Sequence, residues 1–166
     1  MPAKGTPAID ACRRAGIPFE VLTYTPPEPH GRDRDERPSY GLEAAAALGV
    51  DPAMMFKTLI AMADDRLVAA LVPVDRELDL KRLASGAGTH RAVLAEPVAA
   101  ERATGYVVGG ISPLGGRRCL PTFIDTTVLD HSTVLVSAGR RGLQLSLAPD
   151  DLIRLADATV VVLARA

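Results

Sequence analysis

Apolar positions recur with a helical period at the start of the chain and then switch to the two-residue period of strands. Ala8, Ile9, Cys12 and Ala15 fall on one face of a helix that Thr6 caps, Pro7 opens and Gly16 ends. After Pro18, FEVLTY predicts a strand over 19–24. Leu42, Ala45, Ala46 and Leu48 predict a second helix closing at Gly49, and Asp51-Pro52 opens a short helical turn. KTLIAMA, the turn Asp64-Asp65-Arg66 and LVAALVPV predict a strand hairpin across 57–74. Further helices are expected from Asp79 to Ala84, Val98 to Ala103 and Pro149 to Ala156. Further strands are expected near 119–124, near 132–137 and in the closing TVVVLA. Strands outnumber helices and connections are short. The expected fold is therefore α/β of the mixed α+β kind: a curved, largely antiparallel mixed sheet or barrel with helices packed around it.

Two stretches break the pattern. PPEPHGRDRDERP at 26–38 is rich in proline and charge and lacks the apolar surface to order itself, so it predicts a mobile surface loop. GYVVGGISPLGG, Gly105 to Gly116, carries a valine pair suited to a strand into two adjacent glycines, a proline and two more glycines. Gly109 and Gly110 allow positive φ and close approach of a ligand to the backbone, while Pro113 stiffens the loop. Such a loop can offer main-chain N–H groups to an anion or a developing oxyanion. Composition alone favours the simpler reading, a tight turn between strands.

The length, 166 residues, fits a single domain with a sizeable core. Aromatics make up 4% and Trp is absent, so that core must be built from Ala, Val, Leu and Ile. No apolar run is long enough to span a bilayer, and the first residues lack the apolar segment of a signal peptide. Cys12 and Cys119 stand apart without CxxC spacing, which argues against a disulfide framework and for a reducing cytoplasm. A net charge of −1 does not announce a nucleic-acid binder, since a generic duplex-binding domain is usually basic. Positive charge is nevertheless paired at Lys81-Arg82, His90-Arg91, Arg117-Arg118 and Arg140-Arg141. A local basic rim on a near-neutral protein suits a partner that touches with one end only.

The familiar catalytic signatures are missing: there is no GxSxG, HExxH or P-loop. His30, His90 and His131 are scattered, without the paired spacing of metal ligands, so no metal and no cofactor is expected. Lys57 is the exception, the only charge in the apolar run MMFKTLIAM. It either reaches the surface with its stem buried or faces an anion from the floor of a pocket, with Thr58 beside it to donate or accept.

MFKTL at 55–59, LDLKRLA at 78–84, ATGYVVGGISPLG at 103–115, LPTFID at 120–125 and VSAGRRGL at 136–143 together resemble the YbaK/EbsC family. That family comprises Cys-tRNA deacylases related to the editing domain of bacterial prolyl-tRNA synthetase. The resemblance covers nearly the whole chain, with five motifs in the same order. It implies a free-standing enzyme that removes cysteine from mischarged Cys-tRNA(Pro), the second sieve needed because an apolar pocket discriminates weakly between similar side chains. It implies that the substrate thiol attacks its own ester carbonyl, so the protein supplies orientation and oxyanion stabilisation, not a nucleophile. The implied partners are the 3′ end of an aminoacyl-tRNA and, in a weak complex, prolyl-tRNA synthetase.

Carried over by position, the resemblance assigns Lys57, with Thr58 beside it, to the terminal adenosine or its phosphate. It assigns Gly109 with Gly110 and Ser112 to the oxyanion loop, and Tyr24 and Ser137 to the pocket. Tyr24 and Ser137 equally suit a core aromatic and a strand-end hydroxyl. Two departures bear on the substrate. Gln144 stands in RGLQ where the family often has aspartate, which removes a carboxylate that could position the substrate amine. The 26–38 segment is longer than in typical members. Gln144 motivates an alternative, hydrolysis of an ester of alanine or a non-protein amino acid by water. The near-neutral charge motivates another, a non-catalytic module that binds tRNA or a synthetase.

Overall fold

The computed structural model describes residues 5–26 and 40–166. The expected loop therefore lies, from residue 27 on, outside the described residues. The chain runs α1 (Pro7–Ala15), β1 (Phe19–Thr23), α2 (Tyr40–Leu48), a 3-10 turn at Pro52–Met54, β2 (Phe56–Ala63), β3 (Arg66–Pro73), β4 (Glu77–Leu78), α3 (Leu80–Gly86), β5 (Ala92–Leu94) and α4 (Pro97–Thr104). It continues through β6 (Thr122–Asp125), a 3-10 turn at Thr126–Asp130, β7 (Val134–Ser137), β8 (Leu143–Leu147), α5 (Pro149–Ala156), β9 (Ala158–Val161) and β10 (Ala164–Arg165).

Local chemistry sets the first elements. Thr6 Oγ1 accepts the Ile9 N–H at the start of α1, and Gly16 ends the helix in the left-handed region at φ 68°. Asp51 and Asp79 cap the Pro52 turn and α3 in the same way.

The strands form three sheets, in the orders β1-β8-β7, β10-β4 and β5-β2-β3-β6-β9. All pairings are antiparallel except β3 with β6 and β6 with β9. The mixed, largely antiparallel architecture is as expected, but the sheets do not close into a barrel. A single parallel bridge, Met55 to Leu135, joins the three-stranded sheet to the five-stranded one. The seam lies just before β2, whereas β5 pairs with the same strand only at Ala61–Ala63. Between these points β2 has β3 on one side and, among the described residues, no strand on the other. The sheet forks there, and Lys57 stands in the fork.

Side-chain alternation assigns the faces. Phe56 joins Leu71, Ile124, Val136 and Leu145 in the main core, closed by Ile9 of α1 and Leu152 of α5. The opposite face carries Ala61, Val68, Ala70 and Val72 under Leu83 of α3. Further along that face Met55, Val74 and Leu135 pack beneath Ala44 and Ala45 of α2. Lys57 pairs in register with Val72, so it lies on this second face, between the apolar group under α3 and the one under α2.

The expected last strand is two strands, because Asp125 intervenes. Its carboxylate, 2% exposed, accepts the N–H groups of Leu163 and Ala164 at 2.8 Å each, and the Thr127 N–H and hydroxyl at 3.1 and 2.7 Å. Donors that would have continued β9 are turned onto a side chain. Val107 and Val108, expected at a strand end, instead form an exposed turn. The strand expected near 119–124 begins only at Thr122, after Pro121, which has no N–H to donate to a ladder.

Candidate functional site

Lys57 combines two features that seldom coexist. Its side chain is half-buried, and its ammonium makes no hydrogen bond or ion pair with any described residue. Desolvation holds its pKa below the usual lysine value, partly offset by the charges of Glu77 and Asp75. Because the folded pKa is depressed, the folded protein gives up this proton at a lower pH than the unfolded chain. Stability rises with pH between the depressed value and 10.5, and below that window the cost of burying the charge is fully present. Lys57→Met is therefore expected to stabilise the fold at pH 7 by about 1 kcal/mol, a rise of a few degrees in Tm by calorimetry. An unchanged or lower Tm would show that the ammonium is not under strain.

The face that carries Lys57 also carries three other assigned residues. Ser137 and Gln144 are register partners across β7 and β8, and Gln144 pairs with Leu22 of β1. These positions point away from the main core, toward the side where Leu22, Tyr24 and Leu135 pack with Met55. Gln144 is buried, and its Oε1 finds no donor among the described residues. Tyr24 is half-buried beside them, and its backbone N–H donates to Gly142 O at 3.0 Å. Ser137 Oγ donates to Gly110 O at 3.0 Å and accepts the Gly139 N–H, which ties the 109–113 loop to the end of β7.

The glycine loop is anchored from below. Tyr106 is buried and donates its hydroxyl to Leu114 O at 2.6 Å. Burial pushes its phenol up to about 12, against a smaller opposing effect of the Ala8 backbone, so it stays a donor at neutral pH. Val108 N–H donates to Glu101 Oε2, and Gly110 N–H donates to Val107 O at 2.9 Å. The last bond gives the Gly110 amide, expected to face an oxyanion, an acceptor within the turn. Gly109, at φ 97°, and Ile111 and Ser112 keep N–H groups with no acceptor among the described residues. Gly110 serves by size instead, because a Cβ there would stand 2.7 Å from the Arg140 Cα.

Thr58 and Lys57 do not share a site. Thr58 lies on the main-core face of β2, with its Oγ1 buried and unpartnered. It lines a separate hollow of about 130 Å³ with Ser112, Arg118, Cys119 and Thr122. Ser112 Oγ there accepts the Leu114 N–H.

One group escaped the sequence reading. A Cβ on Gly109 would meet the Tyr40 ring at 3.3 Å, so this ring covers the glycine. Arg141 lies 4.9 Å above the same ring and pairs with Glu43 at 2.9 Å. The first turn of α2 is thereby fastened over the loop. The only sequence signal was an aromatic residue opening an alanine-rich helix. Neither cysteine offers a nucleophile at this face. Cys12 is buried in the main core, its thiol pushed up by desolvation and by Asp151, and Cys119 lines the other hollow. No cluster of three His, Cys, Asp or Glu that could hold a metal occurs among the described residues.

The half-buried Lys57 thus shares its side of the fold with Ser137, which ties down the loop that the Tyr40 ring covers. The profile of the aminoacyl-tRNA editing domain family matches residues 38–155. This chain belongs to that family. Editing is the removal of a wrongly attached amino acid from tRNA. Of the curated relatives, an Enterococcus faecalis protein named "Putative Cys-tRNA(Pro)/Cys-tRNA(Cys) deacylase EbsC" is 37% identical over 112 residues, covering 67% of this chain and 68% of that protein. Proline--tRNA ligase of Moorella thermoacetica is 35% identical over 103 residues, covering 62% of this chain and 18% of the ligase. The domain thus corresponds to under a fifth of that synthetase. A solved structure described as "a putative trans-editing enzyme for prolyl tRNA synthetase" shares the fold, with a TM-score of 0.80 at 23% identity over 96% of each chain. Among the described residues no helix is long and apolar enough to cross a membrane.

Proposed function

We propose that the domain deacylates Cys-tRNA(Pro) in trans at the face carrying Lys57, Gly109, Ser137 and Gln144. The observation that carries this reading is the partly desolvated ammonium of Lys57 in the fork of the sheet, unpaired among the described residues. Burying such a charge is unfavourable unless an anion completes it, and the 3′ end of tRNA brings a phosphate. The free N–H groups of Gly109 and Ile111 are the donors for the carbonyl oxygen as it gains charge. Tyr24 and the Tyr40 ring wall the pocket. The Ser137 hydroxyl on this face is engaged by Gly110 O and the Gly139 N–H, and in this reading the substrate supplies the nucleophile. The cysteine sulfur bonds to its own ester carbonyl, the bond from that carbon to the ribose 3′ oxygen breaks, and the thiol proton passes to the departing oxygen. The amino acid leaves as a cyclic thioester, and the protein contributes orientation and charge stabilisation.

The test is a screen of tRNA(Pro) charged with cysteine, serine or alanine. Cysteine is expected to be cleared at least a hundredfold faster than serine, with the cyclic thioester detected by mass spectrometry. Equal rates for serine and cysteine would rule out attack by the substrate thiol. A second reading rests on Gln144. Its orphaned Oε1 is an acceptor suited to an ammonium or to an ordered water. Clearance of alanine with cysteine untouched would favour hydrolysis by water held there. We also place the protein in the cytoplasm, in weak association with prolyl-tRNA synthetase. The same screen with and without that synthetase tests the association through a lowered KM.

A further inference from the structure

The active face does not use the arginines of the glycine loop. Arg117 and Arg118 are exposed at its base, where Arg117 N–H donates to Thr104 O and Arg118 N–H to Ala103 O. The Arg117 side chain lies against Gly105, since a Cβ there would stand 3.6 Å from its Nε. Arg102 is exposed in the last turn of α4, beside the same base. Arg140 is exposed at the far side of the loop, where its backbone abuts Gly110. None of these four guanidinium groups has an ion pair or hydrogen bond among the described residues, whereas Arg13, Arg82, Arg154 and Arg165 all pair with carboxylates. Glu101, beside Arg102 in the chain, accepts the Val108 N–H.

The turn between the two arginine groups is apolar. Val107 is 72% exposed and Val108 44%, and bonds to Glu101 and Gly110 hold them in place. A rigid apolar crest flanked by unpaired guanidinium groups is mismatched to a paired duplex, whose bases are stacked inside. It suits an unpaired nucleic-acid strand, which offers phosphates to arginine and open base faces to an apolar surface.

We infer that Arg102, Arg117, Arg118 and Arg140, with Val107 and Val108 between them, form the surface that grips the single-stranded 3′ end of tRNA leading into the site. The inference rests on the tRNA-editing reading of the neighbouring face. It explains how a protein of net charge −1 can engage a polyanion, since contact is confined to one strand end.

The experiment compares the parent with Arg117→Glu/Arg118→Glu and with Val107→Ser/Val108→Ser. Each is assayed on Cys-tRNA(Pro) and on cysteinyl adenosine, which has the ester but no upstream phosphate. The arginine variant is expected to raise KM for the tRNA at least tenfold with kcat within twofold. The slope of log KM against log salt is expected to fall by about one to two, the signature of lost phosphate contacts. The valine variant is expected to raise KM severalfold with the salt slope unchanged. Cleavage of cysteinyl adenosine should be untouched in both. Equal loss on the short ester, or an unaltered KM and salt slope on the tRNA, would overturn the assignment. Binding of uncharged tRNA, followed by fluorescence anisotropy across the same salt series, needs no turnover. If the parent clears no Cys-tRNA(Pro) yet binds tRNA through these residues, the deacylation reading fails and the gripping surface stands. If the parent is active and both variants bind uncharged tRNA as it does, the surface alone is refuted.

Discussion

Lys57→Ala is expected to lower kcat/KM for Cys-tRNA(Pro) by about a thousandfold, with the protein folded. The size follows from geometry. An ammonium that meets its anionic partner away from bulk water contributes several times the ~1 kcal/mol of an exposed pair, and a thousandfold loss corresponds to about 4 kcal/mol. The same substitution removes an unpaired charge from between two apolar clusters, so the fold should not suffer. Loss of activity with retained or raised stability is the combination that separates a site residue from a structural one. Near-parental kcat/KM in the alanine variant would remove Lys57 from the chemistry and with it the reading of this face. Lys57→Arg gives a finer measurement. It keeps the charge but changes its shape and reach, and is expected to recover only part of the loss.

Asp125→Ala is expected to cost about 4 kcal/mol of folding stability. The carboxylate is almost fully buried and accepts four hydrogen bonds, three of them from backbone N–H groups. Burial alone would raise its pKa. The hydrogen bonds from Thr127, Ala164 and Leu163 outweigh that effect and hold it below the usual carboxylate value. Truncation leaves buried donors without acceptors, each costing roughly 1–3 kcal/mol. The folded pKa is depressed, so this stabilisation is present above the ordinary aspartate pKa and is lost as pH falls through the depressed value. Urea denaturation at pH 7 and at pH 3 should show the variant far less stable at pH 7, with the gap narrowing at pH 3. A gap of under 1 kcal/mol at pH 7 would contradict this account. The acid in LPTFID is thus a fastener for the Leu163–Ala164 segment.

Local chemistry was well expressed in the sequence where one element decides its own conformation. Helix α1 has its cap, its opening proline and its closing glycine, and it forms as expected over Pro7–Ala15. The β2–β3 hairpin turns at Asp64-Asp65. Helix α5 spans Pro149–Ala156, as its period predicted. Elements that exist only through distant partners were harder to see. β4, β5 and β10 have two or three residues each, too few to show a period. β8 alternates cleanly in LQLSL, but the preceding glycines and arginines mask its start. The valine pair at 107–108 misled because β-branched residues prefer strands, whereas here Glu101 and Val107 O take the backbone donors.

The candidate site shows the same division. Lys57 announced itself as a charge in an apolar run, and Ser137, Gln144, Tyr24 and Gly109 gather on or beside its face. Thr58 did not, because neighbours in a strand point to opposite sides. The use of the Gly110 amide within its own turn, and the Tyr40 cover, depend on tertiary contacts that no local pattern encodes.

The β1-β8-β7 arrangement bears on how the protein is made. Phe19–Thr23 leaves the ribosome well before Leu143–Leu147, the strand it pairs with among the described residues. Until those residues emerge, the strand has two raw edges and an apolar side to shield. Such long-range pairing slows folding, so the nascent polypeptide passes through a prolonged, aggregation-exposed stage during synthesis.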